Sequence, residues 1–273
     1  MAKNPDRLHP ITTNAWGGLK RFTPARIALG RAGAGLPTAA HLAFQRDHAL
    51  ARDAVHAAMD IDALATALAG LGEITTLTSA APDRATYLAR PDLGRRLDPA
   101  SRSRLEARES NGERPDIALI VADGLSAKAA ERHAAPLLAA ALPDLKAGGL
   151  SIGPLALVSM GRVAIGDEIG EILGARMACM LIGERPGLSS PDSLGVYLTY
   201  APSPGRNDAE RNCISNIRPE GLAYSAAAQK LCYLATEALR RGETGVMLKD
   251  EQAASKPDAV ETRGNFLVPG PDG

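Results

Sequence analysis

The chain has 273 residues, and its 31 lysines and arginines are balanced by 31 aspartates and glutamates. A neutral balance removes the electrostatic argument for a nucleic-acid or anionic-membrane surface and invites association with other proteins. Because 45% of the residues are apolar but only 3% aromatic, the core must be built from Ala, Leu, Ile and Val, and neither an aromatic cage nor a base-stacking platform is expected.

The length allows one large domain, or an N-terminal extension followed by an α/β domain, and the second reading is preferred. Residues 1–20 contain Pro5, Pro10, Gly17 and Gly18 without sustained periodicity. They read as an arm that stays mobile or orders against a partner. TPARIALG from Thr23 offers an N-cap and Pro at the first helical position, so a short helix ending near Gly30 is expected. The glycines of GRAGAGLPT suggest a phosphate loop, but Leu36 and Pro37 stand where a Walker loop needs Lys and Ser/Thr. Thr38 stands where the dinucleotide fingerprint needs its third glycine, and no strand precedes the segment.

Residues 38–58 lack Gly and Pro and repeat their apolar positions at helical spacing, which predicts a helix. His41, His48 and His56 could share one of its faces, but no pair has the i, i+4 spacing of close helical metal ligands, so solvated histidines are expected. A further helix is predicted over 60–71. The charged stretch 79–115, with Pro82, Pro91 and Pro99, reads as a connector. Within it Arg95 and Arg96 are chemically suited to phosphate, but in a neutral chain a solvated or interface pair is the default reading.

After Pro115 the pattern changes. DIALIVADGLSA followed by SAKAAERHAAPLLAAAL is a β–α unit with Ser126 as N-cap and an interruption expected at Pro136. LSIGPLALVSMGRVAI predicts the next strand, and DEIGEILG a short helix whose Asp167, Glu168 and Glu171 favour the helix dipole. RMACMLIGE and LGVYLTY predict two more strands, and YSAAAQKLCYLATEALRR a terminal helix. The alternation implies an α/β fold with a mostly parallel sheet flanked by helices. From 249 onward, Pro, Gly and charge without periodicity predict a disordered tail. Cys179, Cys213 and Cys232 are odd in number and lie in or near apolar segments, as free thiols of a reducing compartment do. MAKNPDRLHP lacks the apolar core of a signal peptide, and no run approaches the ~18 apolar residues of a membrane span. A soluble cytoplasmic protein is expected.

The stretch 181–217 offers the best ligand edge. Glu184 follows Leu181-Ile182-Gly183 and so falls just past the carboxyl end of a strand, where open α/β sheets bind ligands. The segment NCISNI reads as a polar loop beside it.

The blocks FTPARIALGRAGAGLPT, RPDIALIVADGLSA, GRVAIGDEIGE, LIGERPGLSS and NCISNIRPEG, in that order from about Arg21 to about Met247, resemble the small subunit of ethanolamine ammonia-lyase. The resemblance implies a Rossmann-like domain over 116–248, preceded by the arm 1–20 and a helical segment and connector over 21–115, with the tail from 249 to 273 behind it. It implies adenosylcobalamin as cofactor, conversion of ethanolamine to acetaldehyde and ammonia by a radical mechanism, and a large catalytic subunit as partner in a trimer of paired large–small dimers. A bacterial cytoplasm, in some organisms within a microcompartment, is the implied location. Cobalamin contacts carry over onto Val163, Glu184 and Cys213. Without the resemblance these read as strand core, a solvated strand end and a buried thiol. No catalytic residue and no protein ligand to cobalt carry over to this chain. The alternatives are a dinucleotide-dependent oxidoreductase, which needs a glycine fingerprint that IVADGLSAK lacks, and a non-enzymatic docking module.

Overall fold

Apolar runs that alternate with helical segments build a six-stranded sheet in the computed structural model, which describes residues 11–108 and 114–251. The strands are β1 (Ile74–Thr78), β2 (Ile117–Ala122), β3 (Ile152–Ser159), β4 (Met177–Gly183), β5 (Leu194–Tyr200) and β6 (Asn212–Ile217). The helices are α1 (Thr38–His56), α2 (Ile61–Leu68), α3 (Arg84–Ala89), α4 (Pro99–Glu106), α5 (Ala127–Ala147), α6 (Ile165–Ile172) and α7 (Tyr224–Arg241). Strand order is β1-β3-β2-β4-β5-β6. The first four strands pair in parallel, whereas β5 and β6 return as antiparallel partners.

Strands β2 and β4 are buried at every position, as expected of central strands covered on both faces. One face carries Leu119, Val121, Cys179, Leu181 and Val196 and packs with Leu137, Leu138 and Leu145 of α5 and Leu231 and Ala235 of α7. The other face carries Ile120, Ala122, Met180 and Ile182 and packs with Ile165 and Ile169 of α6 and Leu105 of α4. Crossover helices α5 and α6 therefore lie on opposite sides of the sheet. That arrangement opens a crevice beyond the carboxyl ends of β2 and β4.

Several expectations are corrected. No helix follows Thr23: its Oγ1 accepts from Ala25 N at 3.1 Å, Ala28 turns to φ 51, and Arg31 pairs with Thr12 in an isolated bridge. The helical turn lies earlier, as a 3-10 segment over Ala15–Phe22 capped by Asn14. Helix α5 runs unbroken through Pro136 and Pro143. Its buried Leu137, Leu138, Leu142 and Leu145 contribute roughly 2 kcal/mol each, which offsets the ~3 kcal/mol cost of each interior proline. The expected strand 150–165 ends at Ser159, and residues 160–164 form a turn into α6. NCISNI is strand β6, not a loop. The connector 79–115 contains α3 and α4, and β1 just before it joins the sheet edge. The first ten residues of the arm and the tail from 252 lie outside the described residues.

Candidate functional site

The turn after β2 is built from Asp123, Gly124, Leu125 and Ser126. Ser126 caps α5 by accepting from Ala129 N at 3.4 Å, and its own hydroxyl donates to Pro191 O at 3.0 Å, holding the loop that follows β4. Asp123 is buried, pairs with Arg84 at 2.7 Å, and accepts from Gly161 N at 3.1 Å. Burial pushes its carboxyl up to about 6, against the opposing attraction of Arg84. Tyr87 of α3 reaches across to share its one phenolic proton between the carbonyls of Gly124 and Gly161, both at 2.9 Å. The turns after β2 and β3 are thus tied together by one carboxylate and one phenol.

Beyond these turns lies a cleft of about 400 Å³ lined by Gly124, Arg162, Val163, Glu184 and Tyr197 among others. Val163 is half-buried in the turn between β3 and α6, not in strand core. Glu184 stands directly after β4, as its sequence position implied. Its Oε2 accepts from Ser193 Oγ at 2.7 Å and from Asn216 N at 3.1 Å. Its Oε1 takes no hydrogen bond among the described residues and lies over Gly195, where an added Cβ would come within 3.1 Å of it. The carboxylate is held by one oxygen and presents the other.

Cys213 lies on β6 opposite Tyr197 of β5. It is exposed, which corrects the reading of a buried thiol. Loss of water at the sulfur pushes its thiol up, as does the charge of Glu184, while a hydrogen bond from Tyr197 acts in the opposite direction. Cys213 is therefore a protonated thiol at neutral pH, a small soft contact and not a nucleophile. Burial likewise pushes the Tyr197 phenol up and keeps it protonated. Val163, Glu184 and Tyr197 line the cleft, and Cys213 stands beside Tyr197 on the neighbouring strand. Sequence reasoning missed Tyr197; its signal was the alternation of LGVYLTY, which puts it on the same side of β5 as Gly195.

Asp167 and Glu168, read from sequence as ordinary first-turn acids, are instead buried anchors. Both oxygens of Asp167 accept from Arg211, at 2.6 and 2.7 Å. Glu168 accepts from Leu97 N at 2.8 Å and pairs with Arg102. These bonds fix α6, and with it Val163, against β6 and α4. Among the described residues no three His, Cys, Asp or Glu side chains gather as metal ligands would, and no helix is long and apolar enough to cross a membrane.

A family model described as ethanolamine ammonia-lyase light chain (EutC) matches residues 13–249. The ethanolamine ammonia-lyase small subunit of Azotobacter vinelandii is 59% identical over 262 residues, covering 95% of this chain and 97% of that one. That of Ralstonia nicotianae is 58% identical over 260 residues, covering 94% and 96%. That of Pseudomonas putida is 54% identical over 268 residues, covering 96% and 98%. Matched over nearly its whole length by both the family model and these relatives, the chain belongs to the ethanolamine ammonia-lyase light-chain, or small-subunit, family.

Proposed function

We propose that this chain is the small subunit of an adenosylcobalamin-dependent ethanolamine ammonia-lyase and forms one wall of the cobalamin site at the interface with a large catalytic subunit. The observation that carries the reading is the cleft that Val163, Glu184 and Tyr197 line at the strand ends of a chain of this family, with Cys213 next to Tyr197. A corrinoid has an apolar ring face and a rim of carboxamides. Val163 offers apolar surface, the open Oε1 of Glu184 suits an amide N–H, and the Tyr197 ring and Cys213 thiol supply soft contact. The cofactor is far larger than the cleft, so a second wall must come from elsewhere, and the large subunit is that wall.

Bound there, adenosylcobalamin supplies the radical chemistry that turns ethanolamine into acetaldehyde and ammonia. The contribution of this chain is to bind, orient and shield from water. Ser193 and Asn216 fix Glu184, and the Arg211–Asp167 pair fixes the turn that carries Val163. No acid, base or nucleophile for the reaction, and no ligand to cobalt, is assigned to it. The complex is a trimer of paired large–small dimers in the bacterial cytoplasm, within a microcompartment where the organism builds one.

The test is reconstitution. The purified chain alone has no deaminase activity; with a large subunit from a relative and adenosylcobalamin, activity appears. A folded complex that holds the cofactor and yet releases no acetaldehyde would sink the reading. In that complex Glu184→Ala weakens cofactor retention about ten- to a hundredfold, the range of one charge-assisted hydrogen bond, while kcat at saturating cofactor changes less than about threefold. Equilibrium dialysis followed by steady-state assay separates the two quantities, and unchanged retention removes Glu184 from the site.

A further inference from the structure

A second cleft, of about 410 Å³, adjoins the first and shares Arg162 and Val163 with it; its other walls include Arg95, Arg206, Asp208 and Arg211. Two of these four arginines are neutralised within the chain. Arg211 is paired with Asp167 and Arg206 with Glu210. Arg95 and Arg162 form no ion pair among the described residues, and the Nε of Arg162 is buried with no hydrogen-bond partner. The Arg162 guanidinium is held in place by the Tyr87 ring, 4.4 Å from its centroid, and its Nη2 donates a long bond to Tyr87 O at 3.4 Å. The acids nearby are Asp208, whose side chain is fully exposed, Glu168, which is occupied by Arg102, and Asp92, which is paired with Arg90. Arg96 lies on the continuation of the cleft toward α4, also without an ion pair among the described residues. One wall of the joined clefts thus carries the acceptor Glu184 with Arg185 beside it, and the other an excess of cationic donors, with apolar Val163 between.

We propose that the cleft of Arg95 and Arg162 receives the single phosphodiester anion of a corrinoid that carries a nucleotide loop. The inference rests on the cobalamin reading above and deepens it. A ligand that covers Val163 spans both clefts, and a nucleotide-bearing corrinoid has the matching polarity: amide donors around the ring and one anion on the loop. Two guanidiniums without an internal ion pair suit such an oxyanion because their N–H forks match its geometry and their charge is not already neutralised. Arg95 and Arg96, read on sequence alone as a solvated or interface pair, acquire a ligand when Arg162 is brought beside Arg95 by the turn into α6.

The proposal is tested by binding, not turnover. Cyanocobalamin and dicyanocobinamide, which lacks the phosphodiester and nucleotide, are each titrated into the reconstituted small–large complex and followed by corrin absorbance after dialysis. Arg95→Ala is expected to weaken cyanocobalamin about tenfold, the loss of one charge-assisted contact at a partly exposed site, and dicyanocobinamide by less than about twofold. Arg95→Lys retains most of the affinity. Arg95 is exposed and makes no side-chain hydrogen bond among the described residues, so the variant keeps the urea midpoint of the parent. Equal weakening of both corrinoids, or no weakening of either, overturns the phosphodiester site while leaving the cobalamin reading intact. Loss of small–large association with unchanged corrinoid discrimination also overturns it, assigning Arg95 to an acidic side chain of the partner. A parent complex that binds neither corrinoid overturns both readings.

Discussion

Replacing Arg211 with alanine lowers the stability of the chain by about 3 to 5 kcal/mol, the cost of leaving one member of a buried ion pair without the other. Arg211 is 7% exposed and Asp167 1%, so solvent screening does not reduce the figure. The guanidinium donates to both Asp167 oxygens, to Thr199 Oγ1 at 2.8 Å and to Arg206 O at 2.9 Å, so four acceptors lose their donor at once. Burial already raises the Asp167 carboxyl above its ordinary value, and the opposing influences are the hydrogen bond and charge of Arg211. Without them the carboxyl rises further. An acid whose folded pKa is raised is most compatible with the fold when protonated, so the deficit of the variant narrows as pH falls toward the ordinary carboxylate range and widens as pH rises. Urea denaturation across that range measures it. The double variant Arg211→Met with Asp167→Leu recovers most of the loss, because two apolar side chains leave no buried charge. A single variant within about 0.5 kcal/mol of the parent would show that the pair carries no stability.

The consequence reaches the candidate site because Asp167 lies in the first turn of α6 and Val163 immediately precedes that helix. Arg211 immediately precedes β6, which carries Cys213. The pair therefore sets the distance between two contacts of the proposed corrinoid wall. Nothing in the sequence pointed to it, since residues 167 and 211 are joined only by the fold.

What could be read beforehand follows burial. β2 and β4, covered on both faces, appear as uninterrupted apolar runs, and α5 and α7 as helical patterns, so the central layers were legible. β1 and β6 were not. ITTLT and NCISNI form the two edges of the sheet, where one side of each strand meets water and Thr, Asn and Ser replace the alternating apolar signal. Thr23-Pro24 carried a valid start signal for a helix, but the Thr12–Arg31 bridge draws the following residues into a turn, and tertiary context overrode propensity. At the site, Glu184 was legible because a strand end is visible in sequence. Tyr197 and Arg162 were not, because their place depends on strand register and on which turns meet above the sheet.

The second large effect is expected at Gly183, the last residue of β4 before Glu184. An alanine Cβ there would stand 2.0 Å from Ser126 O and 2.5 Å from Asp123 O, both backbone atoms that cannot swing aside. The turn after β2 crosses the end of β4 at this point, and Leu125 N donates to Gly183 O at 3.0 Å. Gly124, at φ 53, is equally constrained, since its own added Cβ would meet Gly183 O at 2.3 Å. Gly183→Ala must therefore part the turn from the strand, breaking the Leu125 bond and disturbing the cap of α5. A loss of about 2 to 4 kcal/mol is expected, above the usual range for overpacking because the clash is with backbone. Gly187→Ala is the control. It lies four residues on in the loop that follows β4, its nearest neighbour to an added Cβ is 3.8 Å away, and it should stay within about 0.5 kcal/mol of the parent. Thermal and urea unfolding of the two variants side by side decide the matter: equal stabilities would mean that the crossing of turn and strand is looser than its geometry requires. If the crossing is as tight as it stands, the same substitution displaces Glu184, so any Gly183→Ala protein that folds should retain cobalamin less well than Gly187→Ala.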